Sequence, residues 1–424
     1  MRPHGTVGRR LALALALAAA VLAACGGSGH GGRTVSHACG GHAWLTVYSD
    51  LPLGGAQRFD MYAVQHGELL ALRQAHKRAG PCHVQLKTYD DASPASHAWD
   101  PGVTNQVAHE ATADPSAIAY IGDFDSGATA TSLQVTNAAS TLQISPWSPY
   151  VGFTDSGPAD DEGDPGRFQS SGHNTFARLI PSDSNQAVAT ASFMAFKGVR
   201  RLLVLGDVSD PFDADIAQLL VNDVHDAGVQ LVGYDAGLNL ETNTKPAGYA
   251  PYAQQARTAR ADAIFLAGRS GPGALALFAE LHAVLPHARL FAPSTMATPS
   301  FLAALGPVAP SVFVASPILG WWQYPPAARR LRRPYRRMFH TWMSKYALYG
   351  YAAMADVLAA IGRADFATSP TALQEAFFHH LGRQDGPIGR YTIYPDGNSS
   401  LRQLDGYAVS RAGRLRFLTA IPVG

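Results

Sequence analysis

The stretch Ile118-Ala-Tyr-Ile-Gly-Asp-Phe-Asp-Ser-Gly-Ala-Thr129, continued by Gln143-Ile-Ser-Pro-Trp-Ser-Pro-Tyr-Val-Gly-Phe-Thr154, decides the fold. The apolar run Ile118–Ile121 reads as a short buried strand that breaks at Gly122 into a turn of small residues, Asp125 to Thr129. About a dozen helical residues follow, ending near Ser140, and a second strand, Leu142–Ser145, runs into the polar loop Pro146–Tyr150. In a parallel α/β sheet both loops leave the carboxyl edge, where such folds bind ligands. Ser126, Gly127 and Ala128 then stand at a helix N-terminus, whose free N–H groups and dipole favour an anion. The same pattern also fits an ordinary N-cap serine before a surface helix.

Outward from this stretch the alternation of strand and helix continues. Trp44–Ser49 and His83–Tyr89 read as strands, with helices over Phe59–Ala79 and Val103–Thr112. The segment Asp155 to Asn174 turns to Gly, Asp, Ser and Pro and reads as a solvated loop; its Asp160, Asp161, Glu162 and Asp164 lack the spacing of a calcium-binding EF-hand loop. A second series follows, with strands Arg201–Leu205, Gln230–Tyr234, Ala263–Ala267 and Arg289–Phe291 and helices Ala214–Ala227, Tyr252–Ala259 and Ala274–Val284. Its turn Gly268-Arg-Ser-Gly-Pro-Gly273 lacks the Gly-Lys-Ser/Thr ending of a phosphate-binding loop. From Val312 the chain returns to the first series. It passes a helix carrying Arg329, Arg330, Arg332, Arg333, Arg336 and Arg337, which reads as a solvated face or a contact for anionic lipid. A helix Tyr346–Ile361 and the turns of a terminal β-ribbon complete it.

The length of 424 residues supports two lobes, and 33 basic against 32 acidic side chains leave no global field to recruit nucleic acid. Arg2, Arg9 and Arg10 precede a short apolar run, Leu11–Leu22, and Leu22-Ala-Ala-Cys25 matches the lipobox of bacterial lipoproteins. Residues 1–25 are therefore expected to be a signal peptide ending at a lipid-bearing Cys25, with residues 26–42 a flexible tether holding an extracytoplasmic protein to the membrane. Cys39 and Cys82 each precede a strand of one sheet, and an oxidising compartment permits their pairing; two free thiols is the other reading.

The ordered series from Leu51-Pro-Leu53 through Tyr120–Thr129, Ile144-Ser-Pro146, Tyr150–Thr154, Arg178-Leu-Ile-Pro181 and Tyr349-Gly-Tyr-Ala-Ala353 to Gly386-Pro-Ile-Gly389 resembles the type I periplasmic binding proteins. Within them it is most similar to the substrate-binding lipoproteins of branched-chain amino-acid ABC transporters. The resemblance implies an α/β fold of two lobes, each a mostly parallel sheet flanked by helices, joined by three crossings. Lobe 1 would take residues 43–178 and 315–402, and lobe 2 residues 179–314 and 403–424. It also implies a monomeric, non-enzymatic receptor without cofactor or metal that hands a small polar ligand (amino acid, amide or carboxylate-bearing solute) to a permease. The ligand's carboxylate would meet Ser126, Gly127, Ala128, Trp147, Ser148 and Tyr150, with Tyr349 or Tyr351 as an aromatic wall. In the second lobe Ser294 and Arg269 are the candidates, Arg269 favouring a ligand with an additional carboxylate. This chain departs from the family where an acidic residue would accept the ligand's ammonium, since Pro293-Ser294-Thr295 has no carboxylate. A tyrosine expected after the Asp207 strand is also replaced, by Pro211-Phe212. A sensor of the same fold that signals to a partner protein is the alternative function, and a hydrolase a minor one. No nucleophile elbow, zinc-ligand spacing or Walker sequence supports an enzyme.

Overall fold

The computed structural model describes residues 38–54, 57–93, 98–156, 163–366 and 369–423. Its strands are β1 Leu45–Leu51, β2 Arg78–Ala79, β3 Cys82–Asp90, β4 Ala117–Ile121, β5 Leu142–Ser145 and β6 Phe176–Arg178, which build one sheet in the order β2-β3-β1-β4-β5-β6. Every pairing in it is parallel except β2 with β3. A second sheet holds β7 Arg201–Asp207, β8 Gln230–Leu238, β9 Ala263–Ala267, β10 Arg289–Ala292, β11 Val312–Ser316, β14 Gln403–Val409 and β15 Leu415–Pro422. Its order is β15-β14-β11-β10-β9-β7-β8, and the parallel core ends in an antiparallel edge made by β14 and β15. The remaining strands, β12 Gln384–Gly386 and β13 Gly389–Tyr391, pair as a ribbon.

The central strands β1, β4, β5, β7, β9 and β10 are buried along nearly their whole length, as a parallel sheet covered by helices on both faces requires. The chain crosses between the sheets after β6, after β11 and before β14. Between the last two crossings the helices Pro326–Phe339 and Tyr346–Arg363 return to the first sheet and pack on the helix Arg58–Gln74. The loops after β1 and β4 share one cavity with those after β7, β8 and β9, and Tyr150, after β5, packs on Phe212, after β7.

Three local expectations change. The helix from Phe59 was expected to reach Ala79 but stops at Gln74, because His76 and Lys77 take positive φ values of 54° and 55° and turn the chain into the β2–β3 hairpin. The loop after Asp155 is not wholly solvated. Phe168 is buried against Phe153, and Asp164 accepts the Tyr150 hydroxyl proton at 2.6 Å. Of the acidic residues considered there for calcium, Asp160, Asp161 and Glu162 lie outside the described residues.

The third change is at the N-terminus. The tether expected over 26–42 ends earlier, since Cys39 is buried, its N–H reaches the Phe366 carbonyl at 3.0 Å, and it is disulfide-bonded to Cys82. The bridge closes a separation of 43 residues across β1 and the helix Arg58–Gln74. Breaking it with the double change Cys39→Ala, Cys82→Ala is expected to destabilise the first lobe by about 3 kcal/mol, read as a lower denaturant midpoint. Superimposable unfolding curves for the two proteins would contradict this. The signal peptide and Cys25 lie outside the described residues.

Candidate functional site

The carboxyl edges of the two sheets face one another across a cavity of about 350 Å³. Pro52 and Gln57 after β1, Ala98, and Asp125 after β4 form its first-lobe wall. Asp207 and Ser209 after β7, Leu240, Glu241 and Thr244 after β8, and the turn Arg269–Ala274 after β9 form the other. Glycine is required in that last turn at Gly268, whose φ of 150° is closed to most side chains and where a Cβ would sit 2.5 Å from the Cβ of Asp207.

Arg269 does face the cleft, but it is not free to receive a carboxylate. Its Nε donates to Asp210 Oδ2 at 2.8 Å, and the guanidinium lies over the Trp99 ring, 5.7 Å from the centroid. Burial alone would lower the guanidinium's pKa, yet Asp210, Asp213 and Asp125 together hold it above its ordinary value. Asp125 comes from the first lobe, where burial pushes its carboxyl up to about 6 against the pull of Arg269. Arg269 thus joins the two walls electrostatically, and the cavity carries Asp125, Asp207 and Glu241 against one already-paired cation.

The predicted first-lobe residues gather as one cluster beneath this wall. Ser126 begins the helix Ser126–Ala138 and is buried, its Oγ accepting the Tyr150 N–H at 3.3 Å. Gly127 lies under the indole of Trp99, which a Cβ there would meet at 2.4 Å, and Ala128 is buried behind it. Trp147 stacks on Phe124 at 5.4 Å and meets Tyr349 edge-on at 5.9 Å. Ser148 Oγ donates to the Asp123 carbonyl at 3.1 Å, and Tyr150 packs at 5.1 Å on Phe212 of the second lobe.

Of the ten sequence candidates only Arg269 lines this cavity; the first-lobe cluster lies behind its wall, and Ser294, Tyr349 and Tyr351 are engaged elsewhere. Ser294 donates to Gln186 Oε1 at 2.6 Å within the second lobe, and Tyr349 is buried with its hydroxyl on the Pro317 carbonyl at 2.9 Å. Tyr351 opens instead onto a separate cavity of about 410 Å³, with Arg330, Asp356 and Tyr391, and donates to Gln74 Oε1 at 2.9 Å. The loop carbonyls of the cluster are held by Arg178, which is wholly buried and donates to Ser148 O at 3.2 Å, Tyr150 O at 2.7 Å and Thr154 Oγ1 at 2.8 Å.

Sequence reasoning missed Asp207 and Glu241 in the cavity wall, with the negative charge they bring, and Trp99, whose ring lies against Arg269. Asp207 had a signal, its place at a strand's carboxyl end; Glu241 had none. A further acidic group, Asp50, Asp91 and Asp123, lies at the ends of β1, β3 and β4 with each residue fully buried. Burial raises all three carboxyls, Asp50 to about 8 and Asp123 to about 7.

No curated protein matches the chain by sequence. Solved structures do match its fold. The leucine-binding protein LivK of Thermotoga maritima superposes with a TM-score of 0.72 at 17% identity, covering 89% of this chain and 99% of its own. The isoleucine complex of the branched-chain amino-acid transporter substrate-binding protein LivJ from Streptococcus pneumoniae gives 0.69 at 15%, covering 89% and 99%. An ABC-transporter solute-binding protein of Rhodopseudomonas palustris, in complex with 3,4-dihydroxybenzoic acid, gives 0.69 at 16%, covering 90% and 98%. The two-sheet architecture with its interlobe cleft is common to these proteins, and residues 51–413, which hold every side chain lining the cleft, match the family model of periplasmic binding proteins: the chain belongs to that family.

Proposed function

We propose that this protein is an extracytoplasmic, non-enzymatic receptor that captures a small polar solute between its lobes and presents it to an ABC permease. The observation that carries this reading is a cavity walled by the carboxyl edges of both sheets, with Arg269 of one wall and Asp125 of the other acting on each other electrostatically. Closure of such lobes around a ligand is a hinge motion. Lobes drawn as residues 43–178 with 315–402, and 179–314 with 403–424, put the hinges at the three crossings. Lipid on Cys25 would keep the receptor at the membrane surface as a monomer.

Charge narrows the ligand. With Arg269 committed to Asp210, the charge facing a solute is that of Asp125, Asp207 and Glu241, with the Thr244 hydroxyl beside them, while Asp207 Oδ1 also accepts from the Ser209 hydroxyl and N–H and the Leu240 N–H. An ammonium buried here finds the counter-charge it needs, whereas a second carboxylate would meet like charge. The solute is therefore an amine-bearing polar molecule, met in the first lobe by Asp125 and Gln57.

The test is a thermal-shift screen of the lipid-free mature protein against amino acids, polar amines, dicarboxylates, amides, polyols and nucleobases. An amine at 100 times its dissociation constant is expected to stabilise the fold by about 2.7 kcal/mol. Glu241→Gln is expected to weaken it roughly tenfold, the loss of one charge-assisted contact. Stabilisation by acids lacking an amine would overturn the ligand assignment, and silence across the panel would overturn the receptor reading.

A further inference from the structure

The three carboxylates under the cleft floor have an arrangement that solute capture does not account for. The strands carrying them are neighbours in the order β3-β1-β4, so Asp91, Asp50 and Asp123 arrive side by side at one sheet edge. Each is fully buried, and one oxygen from each lies within 4.8 Å of the other two. Two oxygens that share a cation at 2.4 Å can be at most about 4.8 Å apart, and Ca²⁺ binds oxygen at about 2.3–2.6 Å.

The decisive feature is Asp91. Both of its carboxylate oxygens are buried without a hydrogen-bond partner, so whichever one faces the group is unpartnered. Asp50 Oδ1 is unpartnered as well. What donors there are serve the other atoms. Tyr120 has one hydroxyl proton for both Asp50 Oδ2 and Asp123 Oδ1, each at 2.9 Å, and Ser132 donates to Asp123 Oδ2. The charges acting most strongly on Asp91 are all carboxylates: Asp50, Asp123, Asp125 and Asp90. Among the described residues no lysine or arginine forms an ion pair with any of the three. An isolated buried carboxylate costs far more than a paired one, and three together compound the cost.

We propose that Asp50, Asp91 and Asp123 bind one hard divalent cation of the Ca²⁺ class. An all-carboxylate donor set selects such ions over soft ones, and three carboxylates offer as many as six oxygens. The ion ties the ends of β1, β3 and β4 together directly beneath Pro52 and Asp125 of the cleft wall, and so fixes the first-lobe face against which the second lobe closes. The site is separate from the solute cavity and does not depend on which solute that cavity takes.

The full mature chain, stripped with EDTA and dialysed, is titrated with CaCl₂ by calorimetry, with MgCl₂ and MnCl₂ in parallel, and its melting is followed with no solute added. The expected result is one ion bound per chain and a melting temperature that climbs with Ca²⁺ concentration. Asp91→Asn is expected to weaken binding at least tenfold. In EDTA it should melt no lower than the unsubstituted protein, since an amide needs no counter-charge, which shows that the variant folds. Asp385→Asn, an exposed change elsewhere, should bind the ion as the parent does. The proposal is overturned if the parent binds none of the three ions, or if Asp91→Asn binds them as tightly as the parent. Failure of the solute screen would leave this result untouched, because the readout contains no solute.

Discussion

Arg178→Met is expected to cost about 3–5 kcal/mol and to lower the melting of the first lobe by about 10 °C, at roughly 2–4 °C per kcal/mol for a body of this size. Arg178 ends β6 at the first crossing, has no solvent exposure, and holds Ser148 O, Tyr150 O and Thr154 Oγ1 in one fork. Burial lowers its pKa to about 10, so it remains charged at neutral pH. Asp183, on the far side of the crossing, is pushed up to about 7 by burial, and Arg178 draws it back down. A methionine fills much of the volume but removes the donor that these three acceptors share and the positive charge that acts on Asp183. Lysine should rescue little, since a single ammonium cannot span two carbonyls and a hydroxyl in the guanidinium's plane. Solute affinity should fall with stability, because the loop Trp147–Tyr150 is set by these bonds. Thermal unfolding and solute titration of both variants check this; a methionine variant melting within about 2 °C of the parent would refute it.

Arg178 also marks how far the sequence could be read. Arg178-Leu-Ile-Pro181 was read as a lobe crossing from the family resemblance alone, whereas the alternation of strand and helix in each series is a short-range pattern of apolar and small residues, legible without it. The cleft itself was less legible. Asp207 and Glu241 of its wall, and Trp99 against Arg269, come from three different segments, and no local pattern records that meeting. Nor could residue type alone show that Arg269 would be spent on Asp210, which stands 59 positions away. Tyr349 and Tyr351 were both candidates for an aromatic wall, but two positions along a helix are about 200° apart. One hydroxyl goes to the buried Pro317 carbonyl and the other to Gln74 at the surface. Ser126 and Ser148 were found by motif, yet their hydroxyls are engaged by the fold itself. A serine at a helix start looks the same in sequence whether it holds a ligand or its own loop.

The helix between these two tyrosines supplies the second large effect. Gly350→Val is expected to prevent the first lobe from assembling, leaving no folded protein in the soluble fraction. The helices Arg58–Gln74 and Tyr346–Arg363 cross at their glycines. A Cβ at Gly350 would lie 2.0 Å from the Val64 carbonyl oxygen, and one at Gly67 would lie 2.1 Å from the Ala347 carbonyl oxygen. Both obstacles are backbone, so no side chain can swing aside, and relief requires the helices to separate. Overpacking a core costs about 1–3 kcal/mol where side chains can adjust, and more where they cannot. Here separation would also open the largest apolar cluster of the lobe, around Met61, Val64, Ala347, Leu348 and Met354. Gly362, on the same helix, separates this effect from loss of glycine as such. It is exposed, and a Cβ there meets nothing within 4 Å. Gly362→Ala should therefore stabilise the protein by about 0.5–1 kcal/mol through helix propensity and a less free unfolded chain. Circular dichroism and soluble yield of the two variants, made side by side, decide the matter. If Gly350→Val folds with the parent's melting temperature, the close crossing is not what holds these helices together.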